Sequence, residues 1–142
     1  MPDFILHHLQ LPTTRENPRS TDQEAIDEIV RDAMFSGKVT DALEHDLYQP
    51  IAQVRCSEIH DVFPITNHID YDWTTNSEVI RVAGGQRSTS VGDIAVDLDA
   101  GKAWACQSAG WGIIEDETQV AKLIDASKGF LQDGPVPATS PH

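Results

Sequence analysis

Apolar and polar positions alternate at the start of this chain. In FILHHLQLP (4–12), Phe4, Leu6, Leu9 and Leu11 carry the apolar beat and Pro12 closes the run. A period of two predicts a β-strand, and His7 and His8 interrupt it, which points to a bulge or an edge position. TTRENPRS (13–20) is polar and reads as a loop. The period then changes: Ile26, Ile29, Val30, Ala33 and Met34 lie on one helical stripe. Thr21 and Glu24 match a capping box at its start, and Gly37 stands where a helix would stop. TDALEHDLY (40–48) suggests a short second helix capped by Thr40.

PIAQVRC (50–56) reads as a strand. SEIHDVFPITN begins with Ser57 as the expected N-cap of a helical turn edged by Ile59, Val62 and Phe63, which Pro64 should end or distort. NHIDYDWTTNSE (67–78) reads as an Asn- and Asp-rich loop holding Tyr71 and Trp73, and EVIRV (78–82) as a short strand before Gly84 and Gly85. The strongest β pattern follows: Asp93 to Leu98, a turn at Asp99-Ala100-Gly101, then Lys102 to Cys106, a β-hairpin. SAGWGII (108–114) adds a bend and one more short strand. Asp116 or Thr118 would cap a last helix that turns Val120, Leu123 and Ile124 inward. DGPVPATSPH (133–142) has three prolines in ten residues and is expected to be a disordered tail. Residues 1–132 then form a single α+β domain, a small mostly antiparallel sheet with two or three helices packed on it.

The length of 142 residues suits one core. With 39% hydrophobic residues, a mean hydropathy of -0.33 and no apolar run of membrane-spanning length, no contact with a membrane is expected. MPDFILHHLQLP lacks the basic start and small-residue cleavage site of a signal peptide, so the expected location is cytoplasmic. Cys56 and Cys106 fit neither a disulfide framework nor a CxxC pattern and are expected to be buried thiols.

Charge changes the picture most. Twenty-three acidic residues face ten basic ones, for a net charge of -13. Such a field repels nucleic acid and attracts basic partners, and the sequence has no Lys/Arg cluster, so direct nucleic-acid binding is not expected. Between residues 22 and 46 there are eight acids and two bases. Asp22, Asp27, Glu28, Asp32, Asp41, Glu44 and Asp46 are therefore the candidate contacts for a basic host protein or nucleoprotein complex.

The stretch GGQRSTSVGDIAVD (84–97) raises a question of chemistry. Arg87, Ser88, Thr89 and Ser90 offer a guanidinium and three hydroxyls, an alternative site for an anion. The phosphate-loop spacing GxxxxGK[ST] and the dinucleotide spacing GxGxxG are both missing, and a strand follows rather than a helix. A structural turn fits better, with Gly92 in a special conformation and Arg87 held by carboxylates or carbonyls. Ser88 and Ser90 lack the GxSxG setting of a nucleophile, so no catalytic residue is assigned. His60, Asp61, His68, Asp70 and Asp72 are dense enough to consider as metal ligands, but no ligand spacing joins them, and neither a metal nor another cofactor is expected. Trp104 reads as hairpin packing, and Trp111, between glycines, as the more exposed contact residue.

RSTSVGDIAVDLDAGKAWACQSAGW resembles a phrase found in small accessory proteins of plasmids, integrative elements and phages, the YodL-like domains. SEIHDVFPITNHID is similar to the segment that often precedes it. The likeness runs from about Leu47 to Ile114, and Arg87, Ser88, Ser90, Gly92 and Asp93 match the phrase. The resemblance implies a mobile-element context and brings no catalytic residue with it. Two expectations follow. The first is a non-enzymatic, protein-binding accessory protein whose acidic surface mimics nucleic acid, of the anti-restriction or anti-CRISPR type. The alternative is a small ligand-binding or enzymatic domain with its site around Arg87–Ser90. A homo-oligomeric structural protein is a third, plainer possibility.

Overall fold

A computed structural model describes residues 3–10, 21–67, 72–83 and 87–133. Leu11, Pro12, the 13–20 loop, His68, Asp70, Tyr71, Gly84, Gly85 and the tail from 134 lie outside the described residues, as do the side chains of Thr21 and Asp22. The described elements run β1 (Asp3–Leu9), α1 (Thr21–Ser36), α2 (Thr40–Glu44), β2 (Tyr48–Arg55), α3 (Ile59–Thr66), a 3-10 turn (Trp73–Thr75), β3 (Val79–Val82), β4 (Ile94–Asp97), β5 (Lys102–Gln107), β6 (Gly110–Ile113) and α4 (Glu117–Asp133). The six strands make one antiparallel sheet in the order β3-β2-β1-β4-β5-β6. The fold is α+β, with four helices rather than two or three among the described residues.

The two histidines mark the sheet's centre, not its edge. β1 lies between β2 and β4, and Phe4 to Leu9 are all buried. Side chains alternate across the strand. Ile5 and Leu9 join a core with Val30 and Ala33 of α1, Leu43 of α2 and Leu123 and Phe130 of α4. Phe4 and Leu6 join a second core with Val62 of α3 and Trp73. Where β1 pairs with β2 the register shifts between Leu6 and His7, and the extra residue, Ile51, is on β2 rather than on β1.

Local signals explain most boundaries. α1 stops at Gly37, which takes φ 70° and donates its N–H to Ala33 O at 3.0 Å. Asp116 caps α4, accepting from the N–H groups of Thr118 and Gln119 at 3.0 and 3.3 Å. Four expectations are corrected. Thr40 is not the cap of α2: Val39 precedes the helix with no side-chain cap bond. That helix ends at Glu44 instead of reaching residue 48, because Asp46 turns the chain at φ 53° into β2. The cap of α3 is Glu58, not Ser57, in a reciprocal box with Asp61. Pro64 does not end α3, which runs on to Thr66. Pro64 has no N–H to give to the carbonyl of His60, which is exposed.

Candidate functional site

The RSTSVGD segment builds inward. Asp93 is completely buried at the start of β4 and accepts four hydrogen bonds. Its Oδ1 takes the backbone N–H of Leu9 at 2.9 Å and Arg87 Nη2 at 2.7 Å. Its Oδ2 takes Arg87 Nη1 at 2.7 Å and the backbone N–H of Ser90 at 2.8 Å. Arg87 also donates to the carbonyls of Leu9 and Ser88 and to Ser90 Oγ. A bidentate ion pair, with two backbone N–H donors on the same carboxylate, compensates its burial.

Other elements converge on this hub. Tyr48 of β2 donates its hydroxyl to Gly92 O at 2.6 Å, and burial beside Asp93 pushes the phenol pKa upward. Trp73 donates Nε1–H to Arg87 O at 3.0 Å. It is 2% exposed, a core residue rather than part of a solvated loop. Thr89 is fully buried; its N–H bonds to Thr66 O and its carbonyl accepts from the Asn67 amide. Gly92 sits with φ 95° against the backbone of α1, where a Cβ would lie 2.7 Å from Ala33 O. Alanine at Gly92 is therefore expected to cost about 3 kcal/mol, from backbone strain plus a clash with main chain that cannot swing aside. A urea unfolding curve with a lower midpoint and unchanged slope would show it.

The histidines flank the hub on opposite faces. Ser127 Oγ donates to Leu123 O and lies 2.8 Å from His7 Nε2, so its hydroxyl proton is spent and His7 must donate from a protonated Nε2. His8 Nε2 lies 3.2 Å from Thr89 Oγ1 and 3.7 Å from Asp93 Oδ2. Its Nδ1 has no hydrogen-bond partner among the described residues, and its ring centre stands 6.2 Å from that of Trp73. Burial, aided by His8, lowers the His7 pKa to about 3. For His8, burial outweighs the pull of Asp93 and the value falls to about 4. Burial likewise pushes the Cys56 and Cys106 thiols up to about 11 and about 12, so both stay protonated near neutrality.

The hub leaves little for chemistry. His8 Nε2 is hydrogen-bonded to Thr89 Oγ1. Both terminal nitrogens of Arg87 are engaged by Asp93, while the side chain remains 40% exposed. Two residues considered as metal ligands have other partners: Asp61 belongs to the Glu58 capping box, and Asp72 accepts from the N–H and hydroxyl of Thr74. Trp111, expected as a surface contact, is half-buried against the α3-side core.

The acidic residues are arranged differently. Glu28, Asp32, Asp41, Glu44 and Asp46 are exposed, and Asp27 is half-buried. Asp46 pairs with Lys122 of α4 at 3.0 Å. Asp32 and Asp41 reach one groove of about 480 Å³ between α1–α2 and the β6–α4 junction. Across it stand Glu115 and Asp116, which the sequence reading did not place in a site; their only signal was the run Glu115-Asp116-Glu117. Ile29, Leu43, Ala105 and Gly112 contribute apolar surface, and Lys38 is the one cation lining the groove among the described residues. Gln119 also lines it, 8% exposed, and its side-chain amide forms no hydrogen bond with the described residues.

No family model, curated protein or solved structure matches the chain.

Proposed function

We propose that the chain is a non-enzymatic, protein-binding domain that engages a basic host protein or nucleoprotein complex through the acidic surface of α1 and α2. The observation that carries this reading is the exposed series Glu28, Asp32, Asp41, Glu44 and Asp46, in a segment with only two bases. Glu28 and Asp32 stand one helical turn apart, and Asp32 and Asp41 meet at one groove. Carboxylates spaced along such a surface can occupy sites shaped for phosphates and accelerate encounter with a basic partner. The likeness of residues 87–111 to the YodL-like phrase adds a mobile-element setting, in which an acidic mimic would inhibit a defence complex of the restriction or CRISPR type. The structural work done by Arg87 and Asp93 supports the same reading, because it turns the most motif-like stretch into scaffold.

The test is affinity capture from a bacterial lysate with the tagged full chain. A second bait carries Glu28→Gln, Asp32→Asn, Asp41→Asn and Glu44→Gln together. The wild-type chain should retain a basic nucleic-acid-binding protein at about 50 mM salt and lose most of it by about 200 mM. The neutralised chain should retain at least tenfold less at the lower salt. Capture that survives both salt and neutralisation would contradict the proposal.

A further inference from the structure

A groove opens between α1–α2 and the junction of β6 with α4, floored in part by Ala105 of β5 and Gly112 of β6. Three independent features of it point to one occupant. The first is charge: Asp32, Asp41, Glu115 and Asp116 surround an apolar floor with Lys38 as the counter-charge. An arginine suits this lining, since its stem can lie on apolar surface while the guanidinium meets carboxylates. The second is Gln119, a residue over nine-tenths buried that lines the groove and whose side-chain amide forms no hydrogen bond with the described residues. Its amide atoms reach solvent at the groove, where the oxygen can accept an added N–H and the NH2 can donate.

The third feature is the sheet edge. β6 is the terminal strand, and its sequence Gly-Trp-Gly-Ile carries neither charge nor proline to block pairing. Ile114 donates its N–H to Ala103 O on β5. By alternation, Gly110 and Gly112 also face β5, and the N–H and C=O groups of Trp111 and Ile113 point outward. The exposed side chain of Ile113, 46% accessible, stands on that same edge.

We infer that the groove and the β6 edge form one docking site for an extended partner segment, which adds a seventh strand along β6 and places an arginine between the carboxylates. Strand addition supplies main-chain hydrogen bonds, and the groove supplies the side-chain selection. This rests on the protein-binding reading above and names where and how the partner is held.

The probe is a blocked heptapeptide with a central arginine flanked by valines, compared with its glutamine-substituted twin. Binding is followed by amide NMR shifts in the purified full chain. The arginine peptide should shift Gly110–Ile114 and the Gln119 side-chain amide, and the glutamine twin should bind at least tenfold more weakly. Gly112→Val should abolish both sets of shifts. A Cβ there meets only the flexible Gln107 amide, at 2.8 Å, so the fold should survive. Gln119→Leu, a second variant, should weaken the arginine peptide without changing the melting temperature. Equal binding of the twins, or no shift at β6 and Gln119, overturns the inference. Loss of lysate capture in the neutralised chain but full capture by Gly112→Val also overturns it, while leaving the acidic-surface proposal standing.

Discussion

Asparagine in place of Asp93 should destabilise the fold by about 3–5 kcal/mol, the range for removing one member of a buried ion pair. Asp93 accepts from two backbone N–H groups and from both terminal nitrogens of Arg87. An asparagine amide must point its NH2 at one pair of those donors. The loss is a desolvation and repulsion effect centred on groups that still need an acceptor. A second substitution, Arg87→Met, in the same chain should therefore recover part of the loss by removing donors as well. Urea unfolding of the single and double variants measures both. A loss under about 1 kcal/mol would put Asp93 in the class of ordinary surface pairs and refute its role as the hub.

Acid should destabilise the protein well before its carboxylates titrate. His7 and His8 are held neutral, with pKa values of about 3 and about 4 against an ordinary 6.5. The unfolded chain binds a proton at each below about pH 6.5, and the folded chain does not. The stabilisation from excluding those protons is complete above that pH and is lost as pH falls toward the folded values. Two such groups lower stability by about 4 kcal/mol between about pH 6.5 and pH 4.5. His8→Leu should roughly halve that slope, and a flat stability profile across the window would show that the imidazoles already share their protons with water.

Both effects come from residues that sequence patterning reads as polar. The hairpin from Ile94 to Gln107, the stop at Gly37 and the Asp116 cap were all legible, because each depends on neighbours within a few residues. β1 was harder to place: its histidines look like interruptions, and only long-range partners, Ser127 and Thr89, make their burial affordable. Asp93 was read as the first residue of a strand, with nothing local to show that Leu9, 84 positions away, would donate to its carboxylate. Trp73 was lost in a loop rich in Asn and Asp, although its indole anchors the Arg87 carbonyl. The groove shows the same limit. Asp32 and Asp41 were legible as part of an acidic run, but Glu115, Asp116 and Gln119 join them only through the packing of α4 beside β6.

On the proposed reading, the two halves of the molecule have separate tasks. The Arg87–Asp93 hub fixes β1, β2, β4 and α1 relative to one another, and the face built by α1 and α2 is left with its carboxylates exposed. Rigid presentation would favour the proposed mimicry, because charges held on a scaffold lose less entropy on binding than charges on a mobile segment.

Competition with nucleic acid tests the mimicry most directly. The captured partner would be loaded with a fluorescently labelled DNA or RNA duplex and titrated with the wild-type chain, then with the chain neutralised at Glu28, Asp32, Asp41 and Glu44. The wild-type chain should release the duplex in proportion to its own binding, and the neutralised chain should need at least tenfold more protein for the same release. A ternary complex in which the duplex stays bound while the wild-type chain binds would contradict the account.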